Sequence, residues 1–234
     1  MPRIIIIILL ALLAIPVFAI DIELNPYQAS YAVYRGGLNV AISELSLEQS
    51  GQYWRWRQTS KAIGVYALFS NKTLYRETTL LLYDKQYRIH NILLTEEGDD
   101  GGYENARFSW HDQKIDIQYK NQRYIETMPA EIYDSHSIHL LSAQMLKQHL
   151  QTSEFSLYNK GKIKKSYLNL IGESTLEINQ KSIEVLVFEQ SSEGSSAIVR
   201  FYYAAENPLL PLKIERIKPK KKTIIMLLQS VEWR

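Results

Sequence analysis

The chain of 234 residues contains no cysteine. Disulfides, thiolate metal sites and cysteine nucleophiles are therefore excluded. So is the lipid that a bacterial lipoprotein carries on a cysteine after its signal. Excess charge is also missing: the formal net charge is +2, which gives no electrostatic basis for wrapping nucleic acid. No HExxH metal motif and no GxSxG nucleophile motif occurs. Gly36-Gly37 is not followed by a helical pattern, so it is no phosphate cradle. Beyond the first twenty residues no run of about 18 apolar residues occurs, and no later segment is expected to span a membrane.

What is present begins with MPRIIIIILLALLAIPVFA. Arg3 supplies a positive start, 4–15 is an apolar run, and Pro16 breaks it. Val17 and Ala19 occupy the −3 and −1 positions of a small-residue cleavage site. Residues 1–19 read as a secretory signal peptide, with an uncleaved anchor as the alternative. The expectation is a periplasmic protein with a single β-rich domain over 20–234. That length is enough to bury a core without staples.

Tyrosine is abundant, at 16 residues, and suits a pleated surface with one apolar and one wet side. Strand patterns follow one another: 28–35 up to the hairpin signal Gly36-Gly37, then 38–48, then YWRWRQTSKA after Ser50-Gly51. There Trp54 and Trp56 share one face, Arg55 and Arg57 the other. Further strands are expected over 73–83, 87–95, 103–110, 114–119, 123–127, 154–159, 162–171, 174–178, 182–190, 195–203, 212–217 and 223–231. Spacings of about ten residues with turns between neighbours describe an antiparallel meander that closes or nearly closes.

One helical stretch interrupts the strands. In DSHSIHLLSAQMLKQH, Asp134 and Ser135 are N-cap residues for a helix over 136–150. Ile138, Leu141 and Met145 share its apolar face, and His139 and His149 fall within that arc. His136 and His139, with Glu131 or Asp134, have the spacing to meet one metal ion. Chance spacing is common, and the favoured reading is a packed helix whose histidines sit at its rim or bond to backbone. Glu96, Glu97, Asp99 and Asp100 lack the alternation of a calcium loop and read as a solvated turn. Lys218, Lys220, Lys221 and Lys222 either meet anionic headgroups or form a solvated hairpin tip, the latter preferred. In AIGVYALFS the strand pattern lapses at Tyr66, Leu68 and Phe69, marking a lid or a short buried connection.

The order of YAVYRGGLNVA, SKAIGVYALFSN, FSW at 108–110, IYDSHS, KIKKSYLNLIGE and NPLLPLKIE resembles the bacterial exported proteins of domain of unknown function 3108. Asp134 and Ser137 match the D-x-x-S that such proteins carry at the helix start. The histidines are not part of that pattern. The family has no established reaction, so the resemblance carries over no catalytic residues; no cofactor is expected. It implies an architecture similar to the open β-barrels of periplasmic lipoprotein carriers, which is analogy of fold.

The sequence thus predicts a mainly β protein: a curved antiparallel meander, an open or nearly closed barrel, with one helix on its concave side. The leading functional expectation is a carrier of a lipid-like or apolar ligand, lined by Trp54, Trp56, Tyr66, Phe69 and Trp110. The alternatives are an envelope protein that binds a protein partner through a sheet edge, and a cell-wall glycan enzyme. A continuous apolar cavity favours the first, a filled core with an unpaired edge the second, and a cleft of converging carboxylates the third.

Overall fold

The structure, a computed structural model, describes residues 22–69, 72–83, 85–97, 102–178 and 180–234, and only the backbone of Phe69. The expected signal peptide, Asp99 and Asp100 lie outside the described residues.

Fifteen strands form one sheet. The first five are β1 (Tyr27–Arg35), β2 (Leu38–Ser50), β3 (Tyr53–Ala62), β4 (Thr73–Tyr83) and β5 (Gln86–Glu97). β6 (Tyr103–Ser109), β7 (Lys114–Tyr119), β8 (Gln122–Thr127) and the two-residue β9 (Ile132–Tyr133) follow. After the helix come β10 (Thr152–Asn159), β11 (Lys162–Ile178), β12 (Lys181–Ser192), β13 (Ile198–Ala204), β14 (Lys213–Ile217) and β15 (Ile224–Trp233). Two helices interrupt them, α1 (Val65–Phe69) and α2 (Ile138–Lys147). The strand order is β8-β7-β6-β5-β4-β3-β2-β1-β15-β14-β13-β12-β11-β10-β9. Every junction is antiparallel except the parallel pairing of β9 with β10. The last strand therefore pairs with the first, and two consecutive meanders become one sheet.

The sheet is not closed by a ladder, but side chains join its two ends. The Tyr124 hydroxyl on β8 donates to the Gly161 carbonyl at 2.5 Å. The Gly161 N–H donates to Glu104 Oε1 at 2.8 Å. Phe108 and Tyr158 meet edge to face, with ring centroids 5.6 Å apart. Gly161 is required here twice over: its φ is +69°, and a Cβ would lie 2.5 Å from the Tyr124 hydroxyl oxygen.

Alternation sets what faces inward. Trp54 and Trp56 are buried, while Arg55 and Arg57 are half-buried on the other side. α2 lies inside the curve and is buried on most sides, from Ile138 through Ala143 and at Met145. Leu140 joins the core of Tyr31, Trp56, Leu80 and Phe108. Ile138, Leu141 and Met145 join a second core with Phe188, Phe201 and Tyr203. A helix buried on most of its faces, polar His139 and Ser142 included, is one that has neighbours on most sides. α2 therefore fills the barrel rather than covering one side of an open concavity.

Three expectations need correction. The pattern split at Gly172-Glu173 is one strand, β11, bent by a bulge between Leu170 and Gly172. The helix ends at Lys147, and His149 takes a positive φ of 54° outside it. The lapse in AIGVYALFS is α1, which is no buried connection: Val65 is 65% and Leu68 82% exposed.

Candidate functional site

The start of α2 carries the most elaborate polar structure in the protein. Asp134 Oδ1 accepts from Ser137 N at 2.8 Å, Ser137 Oγ at 2.7 Å and His136 N at 3.2 Å. These bonds brace the turn just before α2, whose first N–H groups bond instead to the Asp134, His136 and Ser137 carbonyls. Asp134 Oδ2 accepts from Thr78 Oγ1 at 2.6 Å. His136 links the helix to the sheet: Nδ1 lies 3.1 Å from Thr78 Oγ1 and Nε2 lies 3.3 Å from Gln58 Oε1. Gln58 continues to Ser43 at 2.9 Å, and Ser43 to Ser60 at 2.8 Å. One turn on, His139 Nδ1 meets the Tyr203 hydroxyl at 2.6 Å. His136 and His139 are thus not at the rim, and the His136 ring has a backbone partner at Trp56 besides its side-chain ones. They sit inside, hydrogen-bonded to side chains of opposite walls.

Burial dominates their titration. It lowers His136 to about 4, against the pull of Asp134, and His139 to about 3. Burial would raise the Asp134 carboxyl, but His136, Arg76 and the hydrogen bonds from Thr78 and Ser137 hold it below its ordinary value. The network is a neutral-ring, charged-carboxylate arrangement that locks α2 in one register. Among the described residues no three histidine, aspartate or glutamate side chains converge as metal ligands do.

Trp56 stands beside this network. It is fully buried, its ring centroid 5.4 Å from His139 and 6.3 Å from His136. Its indole N–H donates to the Tyr27 hydroxyl at 2.7 Å. Trp54 is also buried, edge-on to Tyr87. Both tryptophans therefore pack the filled interior and do not line an open one. Tyr66 is on α1 at the surface, and the Phe69 side chain lies outside the described residues. Trp110 borders a cleft of about 90 Å³ with Arg88, Ile132 and Leu140. That is well below the several hundred Å³ usual for a ligand pocket. The Trp110 indole is engaged with the Ile89 carbonyl at 2.8 Å, and the Arg88 guanidinium covers its ring at 4.5 Å.

Larger depressions lie on the surface. One, of about 680 Å³, crosses β5 to β8 and is lined by Asn91, Arg107, Asp112 and Asp116 together with Phe108 and Ile125. Another, of about 490 Å³, lies where β1 begins and β15 ends. Its walls mix Tyr27, Leu47, Ala143, Leu209 and Trp233 with the polar Glu23, Asn25, Lys147, Glu206 and Asn207. Trp233 is 48% exposed and stands edge-on to Tyr27, centroids 5.6 Å apart. Arg234 at the rim is held by Gln28 at 2.6 Å and Glu48 at 3.6 Å. Tyr27 is the connection inward: one edge of its ring meets the cleft tryptophan, and its hydroxyl holds the buried Trp56. Sequence reasoning chose Trp56 and missed Trp233, which lies beyond the end of the expected last strand. An indole between two charged residues at a strand terminus was the one available signal.

A mainly β, barrel-like protein is the class that the fold defines. The family comparison agrees: the model for proteins of unknown function DUF3108 matches residues 27–222, and the chain belongs to that family. No curated protein matches it. Among solved structures, it is similar to a β-barrel-like protein of domain of unknown function DUF1849 from Brucella abortus. The identity is 7%, the TM-score 0.59, and the match covers 91% of this chain and 99% of that one. This likeness shows the fold. A protein with YmcC-like fold from Bacteroides fragilis NCTC 9343 matches at 9% identity and TM-score 0.35, over 90% of this chain and 97% of that one.

Proposed function

We propose that this is an exported binding protein of the cell envelope that takes an apolar or amphipathic ligand in the cleft beside Trp233. The observation behind this reading is an exposed tryptophan on a recess of about 490 Å³ with mixed apolar and polar walls, within the usual range of ligand pockets. The ligand is placed outside the barrel because α2 and Trp56 occupy the interior. The leading carrier expectation is thereby moved from the core tryptophans to a cleft at one end of the sheet.

Dibromostearate, a heavy-atom quencher with an apolar tail, tests the cleft. Of the four tryptophans, Trp54 and Trp56 are buried and Trp110 is capped by Arg88. Titration should quench a saturable part of the emission, and Trp233→Ala should remove that part and weaken binding about tenfold, as loss of roughly 1.4 kcal/mol of contact does. Quenching that persists unchanged in Trp233→Ala would place the ligand elsewhere.

A second reading rests on β8. It has a neighbour on one side only, and Ile125 is 66% exposed on it. Such an edge is a template for strand addition unless charges guard it. Here Arg123 and Asp116 neutralise each other at 2.6 Å. A photo-crosslinker at position 125 in living cells should capture one protein partner if the edge is used, and Ile125→Lys should abolish capture. Absence of any crosslinked product would retire this reading.

A further inference from the structure

The end of the barrel opposite the Trp233 cleft combines features that the binding reading does not use. Three connections lie side by side there, because β4, β3, β2, β1, β15 and β14 are consecutive neighbours in the sheet. They are the β3–β4 connection with α1, the β1–β2 hairpin, and the β14–β15 loop. At about 4.8 Å per strand they span about 20 Å. Backbone bonds tie them to their neighbours: Gly36 N–H to the Thr223 carbonyl at 3.4 Å, and Ile63 N–H to the Val40 carbonyl at 3.1 Å. The Lys222 side chain lies against the hairpin turn, its Cδ 2.5 Å from where a Gly36 Cβ would stand.

The residues presented at this end are of two kinds. Leu38 (56% exposed), Val65 (65%) and Leu68 (82%) are large apolar side chains left in water. Lys218, Lys220, Lys221 and Lys222 surround Pro219 beside them. Residues 35–42, 61–72 and 216–223 hold eight lysines and arginines and no aspartate or glutamate, although the whole chain is nearly neutral. Acids also stand at this end: Glu97 lies opposite Thr73, Glu96 pairs with Lys160 at 3.6 Å, and Glu44 accepts from Ser30 at 2.8 Å. Among the described residues no ion pair involves the four lysines of the β14–β15 loop. A solvated hairpin tip would explain the lysines but not the leucines and valine displayed next to them.

We infer that this end docks on the surface of an anionic phospholipid bilayer, with Leu68, Val65 and Leu38 entering the headgroup region and the loop lysines meeting phosphates. Apolar side chains at the tip of a basic patch are the chemistry of peripheral attachment: shallow insertion and surface charge each contribute, and neither spans the membrane. The geometry has a consequence for the ligand cleft, which it would hold away from the bilayer, facing soluble partners. The inference does not depend on the cleft being occupied.

Co-sedimentation of the protein with phosphatidylglycerol–phosphatidylcholine vesicles tests it. Binding should be strong with the anionic mixture, weak with phosphatidylcholine alone, and reduced by salt. Each lysine near such a surface is worth about fivefold in affinity, so K220Q/K221Q should bind about 25-fold more weakly. Leu68→Ser should weaken binding severalfold at unchanged salt dependence. These side chains are at the surface, so the variants retain the fold. Because the chain has no cysteine, Leu68→Cys offers a single site for an environment-sensitive dye, whose emission should shift to the blue only on anionic vesicles. Trp233→Ala should bind vesicles as the parent protein does. No binding to anionic vesicles overturns the inference, as does equal binding to neutral ones. Binding lost in Trp233→Ala but kept in K220Q/K221Q overturns it too, by moving the lipid to the other end.

Discussion

Trp56→Ala should lower the free energy of unfolding by about 3–5 kcal/mol, the range for emptying a large aromatic site in a packed core. Trp56 has no exposed surface and lies between the sheet and both helix histidines. Its removal opens a hole that α2, anchored by Asp134, cannot move to fill. It also leaves the Tyr27 hydroxyl without the indole N–H it accepts from, and an unpaired buried polar group adds its own cost. Trp56→Phe separates the two contributions: the ring stays, the N–H goes, and the loss should be about half as large. Denaturant unfolding with a constant slope reads both. A Trp56→Ala protein as stable as the parent would mean that the ring lines space already open, the role the sequence first suggested for it.

The second large effect is with pH. His136 and His139 ordinarily titrate near 6.5, but burial lowers them to about 4 and about 3. As pH falls below about 6.5, the unfolded chain takes up protons that the folded one refuses. Stability is thus full above that pH and is lost as pH falls toward the folded values. Each histidine contributes a slope of at most about 1.4 kcal/mol per pH unit. From pH 6.5 to 5 the two together remove about 3 kcal/mol. Asp134 adds a loss of the same sign below its ordinary range, since its carboxyl is held low. His139→Gln preserves a hydrogen-bonding group for Tyr203 and cannot charge, so it should halve the slope between pH 6.5 and 5. Thermal melts across that range measure it. A slope unchanged in His139→Gln would show that this ring titrates normally and is not sealed in.

How much of this was legible in the sequence depends on the range of the interactions concerned. YWRWR was readable because period two is local: Trp54 and Trp56 had to share a face, and they do. The helix was readable but its start was not: it begins at Ile138 with Ser137 at the N-cap, and Asp134 instead braces the turn before it. α1 was not, since five residues in VYALF are too few to show a helical period. The bulge at Gly172 was mistaken for a turn because glycine beside polar residues signals both. Which side of the Trp54–Trp56 face would meet open space was beyond local reading. The filling of the barrel depends on α2, whose partners on β3 and β13 are far away in sequence. The cleft is harder still. Tyr27, Leu47, Ala143, Leu209 and Trp233 come from five segments that meet only because β15 pairs with β1.

Native mass spectrometry of the protein, exported by a bacterial host and purified without detergent, tests the central claim most directly. The claim is that the barrel is filled and that ligand sits in the cleft beside Trp233. It predicts a single lipid-sized adduct at one per chain, removed by solvent extraction and absent from Trp233→Ala. An adduct retained in full by Trp233→Ala, or a bare chain whose emission dibromostearate does not quench, would contradict it.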